Sequence, residues 1–167
     1  MYNKKEVLQK VDMLWSMWKK GSLGGEVMPE DANPHLDKSS VENYLYFTLP
    51  MALNYQRNSY KLWESALNTY NDKETNFVFN PKICINKTFE EVQYALVKYK
   101  VALQKQKQTE IWLSLCKTFV ELYDGDIRKL FDSLENDVDK IKNFIQRENK
   151  KKFPYLSGTK ICNYWLY

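Results

Sequence analysis

The 167-residue chain is poor in the residues that most often carry chemistry, with one histidine, three cysteines and five glycines. A zinc centre needs Cys and His ligands clustered at fixed spacings. His35 stands alone, and Cys84, Cys116 and Cys162 are widely separated, with no CxxC pair among them. No metal is expected, and three isolated thiols fit a reducing interior better than a disulfide scaffold. Each reads as a small buried hydrophobe. The chain contains neither GxGxxG nor GxxxxGK[ST], so a dinucleotide turn and a P-loop both lack support and no cofactor is expected. His35 has no GxSxG partner, which leaves a Ser-His-Asp triad with little footing. No apolar run approaches the roughly 18 residues of a membrane span, and MYNKKEVLQKVDMLW has no continuous apolar core for a signal sequence. A soluble, intracellular protein with no membrane partner is the expectation.

What is present points to a folded helical domain. Hydrophobic residues make up 44% and aromatics 15%, with only five prolines, a balance that argues against disorder. The size suits one domain, or the N-terminal part of a longer one. The net charge of +4 is unevenly placed. From Lys140 onward six lysines and Arg147 face only Glu148, a balance of +6, so the preceding chain sums to −2. Just before it, Glu121, Asp124, Asp126, Asp132, Glu135, Asp137 and Asp139 outnumber Arg128 and Lys129. Such a basic end suits a polyanion. A solvated helix face followed by a lysine-rich loop is the plainer alternative.

Apolar residues at Val7, Val11, Leu14, Trp15 and Trp18 recur at threes and fours, which predicts an amphipathic helix ending near Lys20 and Gly21. Met13 and Met17 read as core. The stretch GSLGGEVMPEDANPHLDKSS follows as a loop. Ser39 or Ser40 is placed to cap a second helix, broken or kinked at Pro50 and resuming through Tyr60, Trp63 and Leu67. NDKETNFVFNPKICINK reads as a connection with short extended pieces. Thr88 and Glu91 match a capping box ahead of Val92, Ala95, Leu96 and Tyr99. A further helix is expected from about Thr109 to Tyr123, stopping at Asp124 and Gly125. Short helices begin at Asp126 and at Asn136 or Asp137. The fold class is all-α, with strands not needed.

The chain ends on FPYLSGTKICNYWLY, an apolar terminus with a single lysine, Lys160. After a helix closing near Glu148, the lysines Lys150, Lys151 and Lys152 lead into a compact turn. Pro154 fixes one dihedral there and Gly158 is free to adopt positive φ. A last helix opens near Thr159, with Ile161, Trp165 and Leu166 facing inward. The pattern is helix, hairpin, helix over about 137–167. Backbone N–H groups at Ser157, Gly158 and Thr159, at the positive end of that helix, are placed to hold a phosphate. The lysines of the turn would neutralise neighbouring phosphates.

This ending resembles the helix-hairpin-helix element of the base-excision DNA glycosylases, in which a "leucine, proline, small residue, aliphatic, glycine, x, lysine" hairpin precedes the catalytic helix. Phe153, Pro154, Leu156, Gly158, Thr159 and Lys160 match that order. The Gly-Thr-Lys run is similar to the bifunctional 8-oxoguanine glycosylases, and K160-I-C-N-Y164 to their archaeal relatives. LPMALNYQRNSYKLWESA at 49–66 is similar to the early helices of the archaeal group. The resemblance implies a multi-helix orthogonal bundle and a damaged DNA duplex as partner, in the cytoplasm or on the nucleoid. It also implies an activity: the neutral amine of Lys160 attacks the sugar C1′, displaces the damaged base and leaves a Schiff base from which the strand is cut. Burial of Lys160 among Tyr164 and Trp165 would favour that neutral form, and the extruded base would need aromatic walls. Two departures accompany the match. Tyr155 stands where a small residue is usual and Ser157 lengthens the turn, and the aspartate that the family carries beyond its catalytic helix is not found in the chain. Either the chain is part of a longer protein or it is a short, divergent relative that has lost the standard mechanism; the apolar end, with no partners expected for Trp165 and Leu166, favours a bundle continued beyond Tyr167. The alternative reading is a non-catalytic helical module that binds nucleic acid or a partner protein through its basic C-terminal region.

Overall fold

The computed structural model describes residues 3–22 and 28–166, and by its contacts the chain divides into Met1–Asp31 and Ala32–Tyr167. The first unit holds α1 (Lys4–Lys19), capped by the Asn3 side chain, which accepts from the Lys5 N–H. Gly21, at φ +67°, closes it in the left-handed region, with Gly21 N–H donating to Trp18 O (2.9 Å) and Ser22 N–H to Met17 O (2.9 Å). The helix therefore ends where the sequence puts it. The expected core stripe does not form, because α1 has no buried residue. The loop expected over 21–40 lies partly outside the described residues, as does Tyr167.

The second unit is helical throughout, with no strand among the described residues. It runs through α2 (Val41–Leu53), α3 (Ser59–Asn71), a 3-10 turn (Asn76–Phe79), α4 (Pro81–Cys84), α5 (Phe89–Lys98), α6 (Lys105–Tyr123), α7 (Arg128–Ser133), α8 (Val138–Asn143) and α9 (Thr159–Leu166). The sequence places a break at Pro50, yet Pro50 lies inside α2 and the chain turns only after Leu53, restarting behind Asn58 as cap of α3. Pro50 removes one backbone bond. Burial of Leu49, Pro50, Met51, Ala52 and Leu53 in succession offsets that loss. The extended pieces expected between α3 and α5 are likewise replaced by the 3-10 turn and α4, with the Asn80 side chain accepting from Lys82 and Ile83 N–H.

The longest helix, α6, is the spine of the core. Trp112, Leu115, Cys116 and Phe119 are fully buried on one stripe, and Trp112 Nε1 donates to Val78 O at 2.9 Å. Gln108, buried at its foot, accepts from Leu103 and Gln104 N–H and donates through Nε2 to Leu53 O at 2.7 Å. One side chain thus closes the start of α6 and the end of α2. Arg57 donates to Lys100 O (2.6 Å) and Val101 O (2.9 Å), tying the α2–α3 turn to the α5–α6 connection. All three cysteines are free and buried, and burial pushes the Cys116 thiol up. Among the described residues no helix is long and apolar enough to cross a membrane.

The capping box of α5 forms as read: Thr88 accepts from Glu91 N–H and Glu91 accepts from Thr88 N–H. The Lys87 ammonium, 2.8 Å away, and the Thr88 N–H hold the Glu91 carboxyl down to about 2. A carboxylate lowered on folding stabilises the fold above its ordinary value and stops doing so as pH falls through the lowered one. Stability should therefore decline from about pH 4.5 to about pH 2. Glu91→Gln should be less stable at neutral pH and flatter across that window, as read by urea unfolding at a series of pH values. Parallel curves for the two proteins would show that the cap contributes nothing.

Candidate nucleic-acid interface

The hairpin begins where α8 changes pitch. Phe144–Glu148 continues α8 as a π turn, closed by Asn149 N–H donating to Phe144 O at 2.8 Å. Lys150, Lys151 and Lys152 then round an exposed turn in which Lys152 N–H returns to Asn149 O (2.8 Å). Its backbone is fixed from two sides. The Thr118 hydroxyl of α6 donates to Lys152 O at 2.8 Å, and Phe153 is fully buried with its ring 6.4 Å from Phe119 and 6.1 Å from Phe144. Leu156 is the second fully buried anchor.

Between the anchors the backbone departs from the sequence reading. The left-handed residue is Tyr155, at φ +68°, and Gly158 is not among the positive-φ glycines. Tyr155 holds this conformation because its hydroxyl donates to Asn54 O at 3.1 Å and its ring meets Tyr55 edge-on at 6.0 Å. Gly158 is required for space instead: a Cβ there would lie 3.2 Å from Tyr155 O. The hairpin also uses its own donors. Leu156 N–H goes to Pro154 O (2.9 Å), Ser157 N–H to Phe153 O (3.0 Å) and Gly158 N–H to Tyr155 O (3.0 Å). Ser157 and Gly158 therefore do not offer the free N–H groups expected of them. The N–H groups ahead of the helical ladder are those of Thr159, Lys160 and Ile161, since Cys162 N–H to Gly158 O (2.8 Å) is the first bond of α9.

α9 begins at Thr159, as read, and presents Ile161, Cys162, Trp165 and Leu166 to the core. Trp165 does find partners in this chain: its Nε1 donates to Thr48 Oγ1 at 2.9 Å and its ring lies 5.5 Å from Phe131. Lys160 and Tyr164, one turn apart, lie on the exposed side. The burial of Lys160 between Tyr164 and Trp165 that the resemblance asks for is therefore not found, because helical phase turns Trp165 inward. Thr159 is exposed beside it.

Charge separates the hairpin from the acidic segment before it. Asp124 pairs with Lys82 (2.7 Å), Asp126 with Arg128 (2.7 Å) and Glu135 with Lys140, while Asp137 caps α8. Hydrogen bonding by the Lys82 ammonium and the Arg128 guanidinium lowers the Asp124 and Asp126 carboxyls. Lys150, Lys151, Lys152 and Lys160 have no carboxylate partner among the described residues. Beside the hairpin, Lys107 from the first turn of α6 places Nζ 5.8 Å from the centroid of the exposed Tyr55 ring. Sequence reasoning missed Tyr55 and Lys107, which meet the hairpin only through the fold.

A cleft of about 740 Å³ lies elsewhere, walled by Glu42, Tyr70, Phe77, Asn80, Lys82 and Asp124 among others. Lys160 does not line it. Burial, then the Glu42 carboxylate at 2.5 Å, pushes the Tyr70 phenol up to about 12. No protein-family model matches the chain, and no curated protein or solved structure gives a significant match.

If the two pins fix the hairpin, Thr118→Val and Tyr155→Phe should each cost about 1 kcal/mol, the net worth of one such hydrogen bond. Urea unfolding should show a lowered midpoint with unchanged slope. An unmoved midpoint in both variants would mean that the turn is held by Phe153 and Leu156 alone.

Proposed function

We infer that this chain is a helical nucleic-acid-binding protein, which holds the phosphate backbone of a DNA duplex with the lysine turn and the start of α9. The observation that carries this reading is the contrast in pairing: Asp124, Asp126, Glu135 and Asp137 are used within the fold, whereas Lys150, Lys151, Lys152 and Lys160 stand exposed without carboxylate partners among the described residues. Unpaired ammonium groups on a fixed turn neutralise phosphates and release counterions, with little side-chain pairing to break first. Lys107 and the Tyr55 and Tyr155 rings extend the basic surface with aromatic faces suited to unpaired bases.

A glycosylase and lyase activity is the second reading, favoured by one feature: Lys160 is the second residue of a helix that directly follows the hairpin. The Lys160 nitrogen would bond to C1′ as the glycosidic bond breaks toward the base, and ring opening would give the imine that precedes β-elimination. That step needs a neutral amine, and Lys160 is exposed to water.

Replacing Lys150, Lys151 and Lys152 by Gln should weaken duplex binding to a similar degree across sequences. It should also reduce the slope of log affinity against log salt by roughly 2 to 3, because phosphate contacts carry no sequence code. Unchanged affinity and slope would remove the proposed footprint. Borohydride trapping on an abasic or 8-oxoguanine duplex separates the two readings. The binding reading expects no adduct that depends on Lys160, and in Lys160→Gln only the loss of one phosphate contact, read as a salt slope lower by about 1. An adduct present in the parent and absent in that variant would establish the enzyme instead.

A further inference from the structure

α1 carries most of its apolar residues on one side, with Met13 and Met17 off it. At 100° per residue, Val7, Leu8, Val11, Leu14, Trp15 and Trp18 fall within an arc of about 120°. These side chains are between 46% and 62% exposed. The indoles of Trp15 and Trp18 stack at 5.0 Å, and Lys19 Nζ lies 5.0 Å from the centroid of the Trp15 ring. An isolated helix of this length is marginal in water, so what covers the stripe decides whether the helix forms.

Charge identifies the cover. Lys4, Lys5, Lys10, Lys19 and Lys20 face only Glu6 and Asp12, a net +3 over the helix and its cap. A second copy of α1 would bring like charge against like. An anionic surface brings the opposite charge, and the stripe holds residues of the kind that sits at a lipid headgroup: two indoles, each with one polar edge, and beside them a lysine whose ammonium lies over the Trp15 ring. We propose that α1 is an interfacial helix that lies on an anionic phospholipid bilayer, its apolar stripe in the headgroup–acyl boundary and its lysines among the headgroup phosphates. The expectation of no membrane partner rests on the lack of a spanning segment, which is a different geometry. The proposal is independent of the hairpin.

Co-sedimentation of the whole chain with vesicles tests it. Binding is expected to vesicles of phosphatidylcholine mixed with phosphatidylglycerol and not to phosphatidylcholine alone, with tryptophan emission moving to shorter wavelength. Trp15→Ser with Trp18→Ser should lower partitioning about tenfold or more. Lys4→Gln and Lys5→Gln should lower it about fivefold each at low salt. The lysine variants leave the stripe intact, so they remain decisive if the double serine variant unfolds. Absence of binding to the mixed vesicles would overturn the proposal, as would equal loss on replacing Lys150, Lys151 and Lys152, which would assign the lipid contact to the hairpin. A mass that doubles with concentration in lipid-free solution, and stays single in the double serine variant, would overturn it in favour of a second copy.

Discussion

Burial of Phe153 and Leu156 is the constraint on which the basic end of this protein depends. A run of three lysines has no tendency of its own to hold one shape, and like charges on neighbouring residues drive it toward extension. Two fully buried side chains just beyond the run reverse that tendency. Each contributes roughly 1.5 to 3 kcal/mol of apolar burial, enough to hold a short turn against its conformational entropy. The Thr118 hydroxyl then fixes the Lys152 carbonyl, and the lysines project from a backbone with little freedom left.

The same spine, α6, supplies both supports. Phe119 receives Phe153 and its neighbour Thr118 receives Lys152, while at the other end Gln108 closes the helix start beside Lys107 and the Tyr55 turn. The basic turn and the aromatic pair are thus referred to one rigid element, although Tyr155 and Asn54 are 101 residues apart in sequence. Of the neighbouring acids, Asp124, Asp126 and Glu135 are paired locally and Asp137 is spent on the α8 cap.

Features set by a few adjacent residues were legible in the sequence. The Thr88–Glu91 capping box, the stop at Asp124 and Gly125 and the start of α9 at Thr159 need only local chemistry, as do the caps at Ser40 and Asp137, each of which the sequence narrowed to two adjacent residues. What was not legible depends on distant packing. Pro50 stays helical because the residues around it are buried, and no local rule announces that. The left-handed position fell on Tyr155 rather than Gly158 because a hydroxyl contact to Asn54 and a ring contact to Tyr55 hold a side chain that propensity alone would exclude. Tyr55 and Lys107 carry no local signal at all. The stripe of α1 was read correctly as a pattern, yet periodicity states only that a face is apolar, never what covers it.

Helical phase decides what the final lysine is able to do. With 3.6 residues per turn, placing Ile161, Cys162 and Trp165 against the core commits Lys160 and Tyr164 to the opposite side. To bury Lys160 the helix would have to rotate, which would take Cys162 out of the core and break the Trp165 bond to Thr48. An ammonium that stays in water keeps its hydration until a polyanion displaces part of it, which is the physics of phosphate contact. Nucleophilic attack asks for the reverse, a desolvated amine already poised at the sugar. The proposed phosphate contact therefore asks of this amine only the exposure that the helix gives it, whereas catalysis would require a bound duplex that itself shut out the water.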